Sequence, residues 1–227
     1  MSLKIGKSSK DTRYLKRIKD AIATDRAHPR HNGIKMQAHH AISAEGMKFS
    51  GLGKKIEKFG YDINSLANLV FIPCTLQGAC HLGVQPHRGN HTAIVDQEDY
   101  DDDAEPENYH DLISHRLKDL HLPLAQACKG EDDNRVHEIR NKLDSFSKLI
   151  IEMIQRKPSV APLTNIAKYF SPKNPIGCGG VDSVTHHHGL KSCEVERSHS
   201  CNRQGATQDK ENIKFVLNKP YILQPGR

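Results

Sequence analysis

The sequence predicts an α+β fold that is mostly helical with a small sheet. Three observations carry this. Residues 135–156 repeat Val136, Ile139, Leu143, Phe146, Ile150 and Met153 at helical spacing. Residues 109–122 do the same with Leu112, Ile113, Leu117 and Leu120. Residues 69–72 form a short apolar run ended by Pro73, which is the pattern of a brief buried strand.

The elements follow in chain order. Residues 10–24 predict a helix with Tyr14, Leu15, Ile18 and Ile22 on one stripe and lysines and arginines opposite. Residues 28–33 are a turn, since Pro29, Asn32 and Gly33 all break regular structure. Residues 34–42 are extended, and 52–59 form a short helix stopped by Gly60. Residues 74–86 are irregular and rich in turn formers. A helix begins near His87, because Pro86 suits a helix boundary. Pro123 ends the helix over 109–122. Asp132 or Asp133 caps the long helix, and Pro158 and Pro162 mark its end.

At 227 residues the chain can bury a real core. Three regions are expected: a basic N-terminal helix and arm over 1–36, a main domain over 37–170, and a Cys/His-containing tail or small module over 171–227. No apolar run approaches the roughly 20 residues that span a bilayer, and no signal-peptide core is visible. A soluble protein made in the cytoplasm is therefore expected, with any export left to a specialised secretion machine. The net charge of +6 is unevenly spread. Residues 1–35 hold ten Lys/Arg against three Asp/Glu, whereas 96–133 hold thirteen acidic side chains against three basic ones. A basic arm of this kind neutralises phosphates and adds affinity for nucleic acid, and a separable arm can be removed without loss of the main fold. The six cysteines include no C-x-x-C pair, so a zinc ribbon is not signalled. Cys178, His188, Cys193 and Cys201 have the donor types for a second, structural zinc, against a loosely packed tail as the alternative.

The chemistry lies in the histidines. His39 and His40 are adjacent, and His87 and His91 are four apart. Residues four apart share one helix face, so His87 and His91 can grip one metal ion. A third protein ligand leaves a coordination position open, as in a catalytic metal site. Neighbouring strand residues face opposite sides, so one of His39 and His40 can hold metal while the other poises water. An imidazole is neutral near its working pH and can take that proton. Asn68 can accept from the other nitrogen of the base and fix its tautomer; Asn64 competes for that role, and Asn68 fits better. Arg88 and Arg30 are candidate phosphate contacts.

The residues resemble a known family. Ala38, His39 and His40 match the naming motif of the AHH nucleases of the HNH/endonuclease VII superfamily. The segment Asn68 to Pro73 resembles their Asn-bearing strand, and His87 to His91 is similar to their second histidine segment. The resemblance spans about residues 37–122. It implies a small ββα-metal finger at the active site, holding one divalent cation, with zinc, nickel and magnesium as the candidates. It makes His39, His87 and His91 the metal ligands, His40 the general base and Asn68 its orienting residue. The implied function is a metal-dependent endonuclease that hydrolyses DNA with little sequence preference, acting as an antibacterial toxin effector. The implied partners are DNA, an immunity protein that inhibits the enzyme, and a secretion carrier. Two other readings fit the same residues: an RNase toxin on the same metal finger, and a non-catalytic zinc-stabilised nucleic-acid-binding module.

Overall fold

A computed structural model describes residues 5–87, 106–124, 133–164, 208, 210–216 and 218–227. The fold is α+β, with six α-helices and one two-stranded sheet among the described residues. Helix α1 (Tyr14–Ala21) is followed by a 3-10 turn (Pro29–Asn32) and strand β1 (Met36–His40). Helices α2 (Ala44–Ser50) and α3 (Gly53–Lys58) lead to strand β2 (Leu69–Pro73) and helix α4 (Leu76–Leu82). Helices α5 (Pro106–Asp119) and α6 (Asp133–Arg156) complete the frame.

The strands pair antiparallel, with Met36 opposite Pro73, His39 opposite Val70 and His40 opposite Leu69. Leu69, Val70, Phe71 and Ile72 are all fully buried, so β2 is covered on both faces. Helix α6 supplies one wall of the core through the predicted stripe: Val136, Ile139, Leu143, Phe146, Ile150 and Met153 are all buried. In α5, Tyr109, Ile113 and Leu117 are buried, while Leu112, and Leu120 just past the helix, pack at the core's edge.

Several elements differ from the sequence expectation. The first helix is shorter, because the Asp11 carboxylate accepts from the Arg13 amide and holds residues 11–13 in a turn. Leu15, predicted inside, is 37% exposed. Residues 44–50 form a helix that hydrophobic spacing did not signal; the Ser43 hydroxyl caps it by accepting from the Gly46 amide. Residues 74–86 are not irregular throughout. Thr75 starts α4 in the same way, its hydroxyl accepting from the Gly78 amide.

The N-terminal residues are stitched into the core. Ile18, Ile22 and Ile34 belong to the same cluster as β2 and α6. The Gly6 amide donates to Glu57 O at 2.8 Å, and Lys7 pairs with Asp62 in a parallel bridge. A Cβ on Gly6 would meet Tyr61 O at 1.9 Å, so only glycine allows this approach. Residues near the other end also dock here. The Phe71 amide donates to Arg227 O, the Gly226 amide donates to Leu69 O, and Leu223 is buried.

Candidate active site

The site grows from β1. Gln37 and His39 are two apart on a strand and so share a face. Both meet His87. The His39 and His87 ring centroids are 4.8 Å apart, and Gln37 Oε1 lies 2.9 Å from His87 Nδ1. Backbone pairing puts His87 there: its amide donates to Pro73 O, at the end of β2, at 2.8 Å.

Hydrogen bonds hold both rings. Tyr109 Oη donates its single proton to Ala41 O at 2.6 Å, so it accepts from His39 Nε2 at 2.8 Å. This leaves the lone pair of His39 on Nδ1. Gln37 Oε1 is an acceptor, so His87 Nδ1 donates and its lone pair sits on Nε2. An outer hydrogen bond that fixes tautomer and ring angle is the usual support of a metal-bound histidine. Burial holds the Tyr109 hydroxyl well above its usual pKa, so it stays protonated for this task.

His40 faces the other way. Its ring stacks obliquely on Tyr14, with centroids 4.7 Å apart. His40 Nε2 lies 3.1 Å from Asn64 Oδ1, so Nε2 carries the proton and Nδ1 the lone pair. Burial is the main reason that its pKa falls to about 4; the Asn64 bond opposes the fall and the Lys10 charge adds to it. The ring is therefore neutral at neutral pH, the state a base needs.

Both histidines of β1 line one cavity of about 780 Å³ that runs along the strand. His39, His40, His87 and His110 line it, and so do Lys10, Lys19 and Arg30. Among the described residues Glu45 is the one carboxylate on its wall. Four imidazoles beside three cations suit an anionic ligand with an attackable centre. Among the described residues no group of three His, Cys, Asp or Glu side chains is arranged to hold a metal ion. Two of the three predicted ligands, His39 and His87, are together; the third, His91, lies outside the described residues.

The profile of the AHH family, a nuclease family of the HNH/endonuclease VII superfamily with a conserved AHH, matches residues 15–143. That is more than half of the chain. The protein belongs to the AHH nuclease family. No curated protein and no solved structure matches it. The match begins inside α1 and runs into α6, so this nuclease uses its N-terminal helix as part of the family unit.

One predicted contact is corrected. The Asn68 side chain does not hydrogen-bond the His40 ring. Its Oδ1 accepts from the Ile42 amide and from the Ser147 hydroxyl, and its Nδ2 donates to Ile42 O and Ile63 O. All of its amide groups are thus used to tie the turn after β1 to the turn before β2 and to α6. Asn64, four residues earlier, holds His40 instead. The register explains the exchange: Asn68 lies just past the strand pair, behind the His40 backbone, whereas Asn64 reaches the ring. Arg30 is on the cavity wall, with its guanidinium 5.3 Å over the Phe71 ring. Arg88, and the proposed zinc donors Cys178, His188, Cys193 and Cys201, lie outside the described residues. Sequence reasoning passed over Gln37 and Tyr109. Gln37 was detectable, being two residues before His39 on a strand. Tyr109 was not, since 70 residues separate it from His39.

Proposed function

We propose that this nuclease hydrolyses phosphodiester bonds of double-stranded DNA, with a divalent cation held by His39, His87 and His91 and with His40 as the general base. The observation that supports this best is the sorting of imidazoles on β1. His39 meets His87 on one face, and His40 stands on the other with its lone pair on Nδ1. The donor set suits zinc or nickel, while magnesium prefers oxygen ligands. When bound, such a cation stabilises charge on the scissile phosphate and its leaving oxygen. The residues do the rest. Lys10, Lys19 and Arg30 seat the phosphate backbone, as cations at the rim of the cavity. His40 Nδ1 takes a proton from the attacking water as the new bond to phosphorus forms and the bond to the leaving sugar oxygen breaks. Burial of the imidazoles keeps bulk water from competing for these hydrogen bonds.

Little sequence preference follows from the same features. The cavity offers charges and rings for the backbone, which is alike at every step of a duplex. An enzyme of this kind endangers the genome of its producer. The toxin reading therefore requires a tight immunity protein, and delivery to a target cell requires a secretion carrier. Among the described residues no helix is long and apolar enough to cross a membrane.

The test is incubation of purified protein with plasmid DNA and with RNA, each with and without chelator, beside His40→Ala. Chelator-sensitive loss of DNA by the wild type alone supports the proposal. Cleavage of RNA with DNA left intact replaces it with the RNase reading.

A further inference from the structure

The second nitrogen of His40 has a holder, and the holder has its own scaffold. Asn64 is fully buried. Its Oδ1 accepts from His40 Nε2 at 3.1 Å and from the Asp11 amide at 3.1 Å. Its Nδ2 donates to Ser9 O at 2.9 Å and to Asp62 Oδ1 at 2.8 Å. Both Nδ2 protons are used, which forbids a flip of the amide: the flipped group would point a donor at the Asp11 amide and set its oxygen against Ser9 O and the Asp62 carboxylate. The Arg17 guanidinium closes the ring, binding Asn64 O at 2.9 Å and the Asp11 carboxylate at 2.8 Å.

We propose that Asn64 is the positioning residue of the base, and that the segment from Ser9 to Arg17 is part of the catalytic device through it. The amide presents one fixed acceptor to His40. That acceptor selects the tautomer with hydrogen on Nε2 and turns the Nδ1 lone pair toward the cavity. Tyr14, between Asp11 and Arg17 in the chain, packs on the same ring and limits its rotation. The N-terminal segment thus sets the direction of proton transfer as well as the charge of the cavity rim. This inference rests on His40 being the base.

The experiment combines two readouts on the whole chain, with chelator present for the first. Nitrogen-15 NMR of the imidazoles assigns the tautomer of His40 in the wild type and in Asn64→Ala. The expected result is hydrogen on Nε2 in the wild type and a mixed or reversed tautomer in the variant. Kinetics of plasmid cleavage then give kcat and KM. Asn64→Ala should lose roughly 10–100-fold in kcat with KM near that of the wild type, the usual cost of removing an outer hydrogen-bond partner. Hydrogen on Nδ1 in the wild type overturns the proposal even where Asn64→Ala fails to fold. A folded Asn64→Ala with wild-type kcat also overturns it. Full activity of His40→Ala is a separate failure, of the base assignment itself.

Discussion

At the scale of the residue, the site depends on which imidazole nitrogen carries hydrogen. Tyr109→Phe removes the acceptor from His39 Nε2 and leaves the fold's packing almost unchanged. Metal affinity measured by calorimetry with Zn²⁺ should fall roughly 10–100-fold; unchanged affinity would mean that the Tyr109 bond has no hold on a ligand. His28 gives a prediction on stability. Its Nδ1 accepts from the Arg30 amide at 3.1 Å, and burial lowers its pKa to about 4. The unfolded chain takes a proton near pH 6.5, whereas the folded chain resists it until about 4. Its contribution is thus intact above about pH 6.5 and is lost as pH falls from there toward 4. His28→Asn keeps an acceptor for the cap and cannot titrate. Its Tm should be lower than wild type at pH 7 and should fall less between pH 7 and 4.5. A parallel decline in both proteins would remove His28 as a source of acid sensitivity. That His39, His40 and His87 share one cavity was legible, since adjacent histidines, and histidines four apart, are local patterns; His91 lies outside the described residues. Asn64 and Tyr109 were not, because the first was outweighed by a better motif match and the second meets His39 only through the packing of α5.

At the scale of the element, α2 and α5 flank the site on β1, and α5 brings Tyr109 and His110 to it. They pack closely at Gly46, where a Cβ would stand 2.7 Å from Ile113 Cβ. Gly46→Ala should push α5 away, and with it Tyr109 and His110. A loss of about 1–3 kcal/mol is expected in denaturant unfolding, accompanied by reduced cleavage. A variant as stable as the wild type would show that the interface has slack. Long elements with a sustained stripe, α5 and α6, were legible, although α5 runs over Pro106–Asp119, three residues earlier than the stripe and Pro123 suggest. The short ones were not. Helices α2 and α4 have seven residues each, too few for a hydrophobic period to repeat, and rest on the caps Ser43 and Thr75 and on tertiary contact. The expected N-terminal arm also contributes to the core. Ile18 and Ile22, on the stripe that the sequence shows, are buried there with Ile34, beside the conspicuous lysines and arginines. Deleting residues 1–20 should therefore cost the cooperative melt, and not DNA affinity alone; a truncated protein with wild-type Tm would restore the separable arm.

At the scale of the molecule, charge and chemistry coincide: Lys10, Lys19 and Arg30 rim the cavity that His39, His40 and His87 line. Replacing Lys10 and Lys19 together with Gln, in the inactive His40→Ala background, should reduce the salt slope of duplex binding by about 2, since each phosphate that a lysine neutralises adds about 0.9. An unchanged slope would put both lysines off the DNA path. The central claim is the division of labour along β1, with His39 and His87 for the cation and His40 for the proton. It is tested most directly by titrating Zn²⁺ into His40→Ala and His87→Ala and measuring plasmid cleavage by each. The account predicts that His40→Ala binds zinc as the wild type does while cleavage falls by roughly 10²–10⁴-fold, and that His87→Ala loses both. Zinc affinity lost equally in both variants would contradict it.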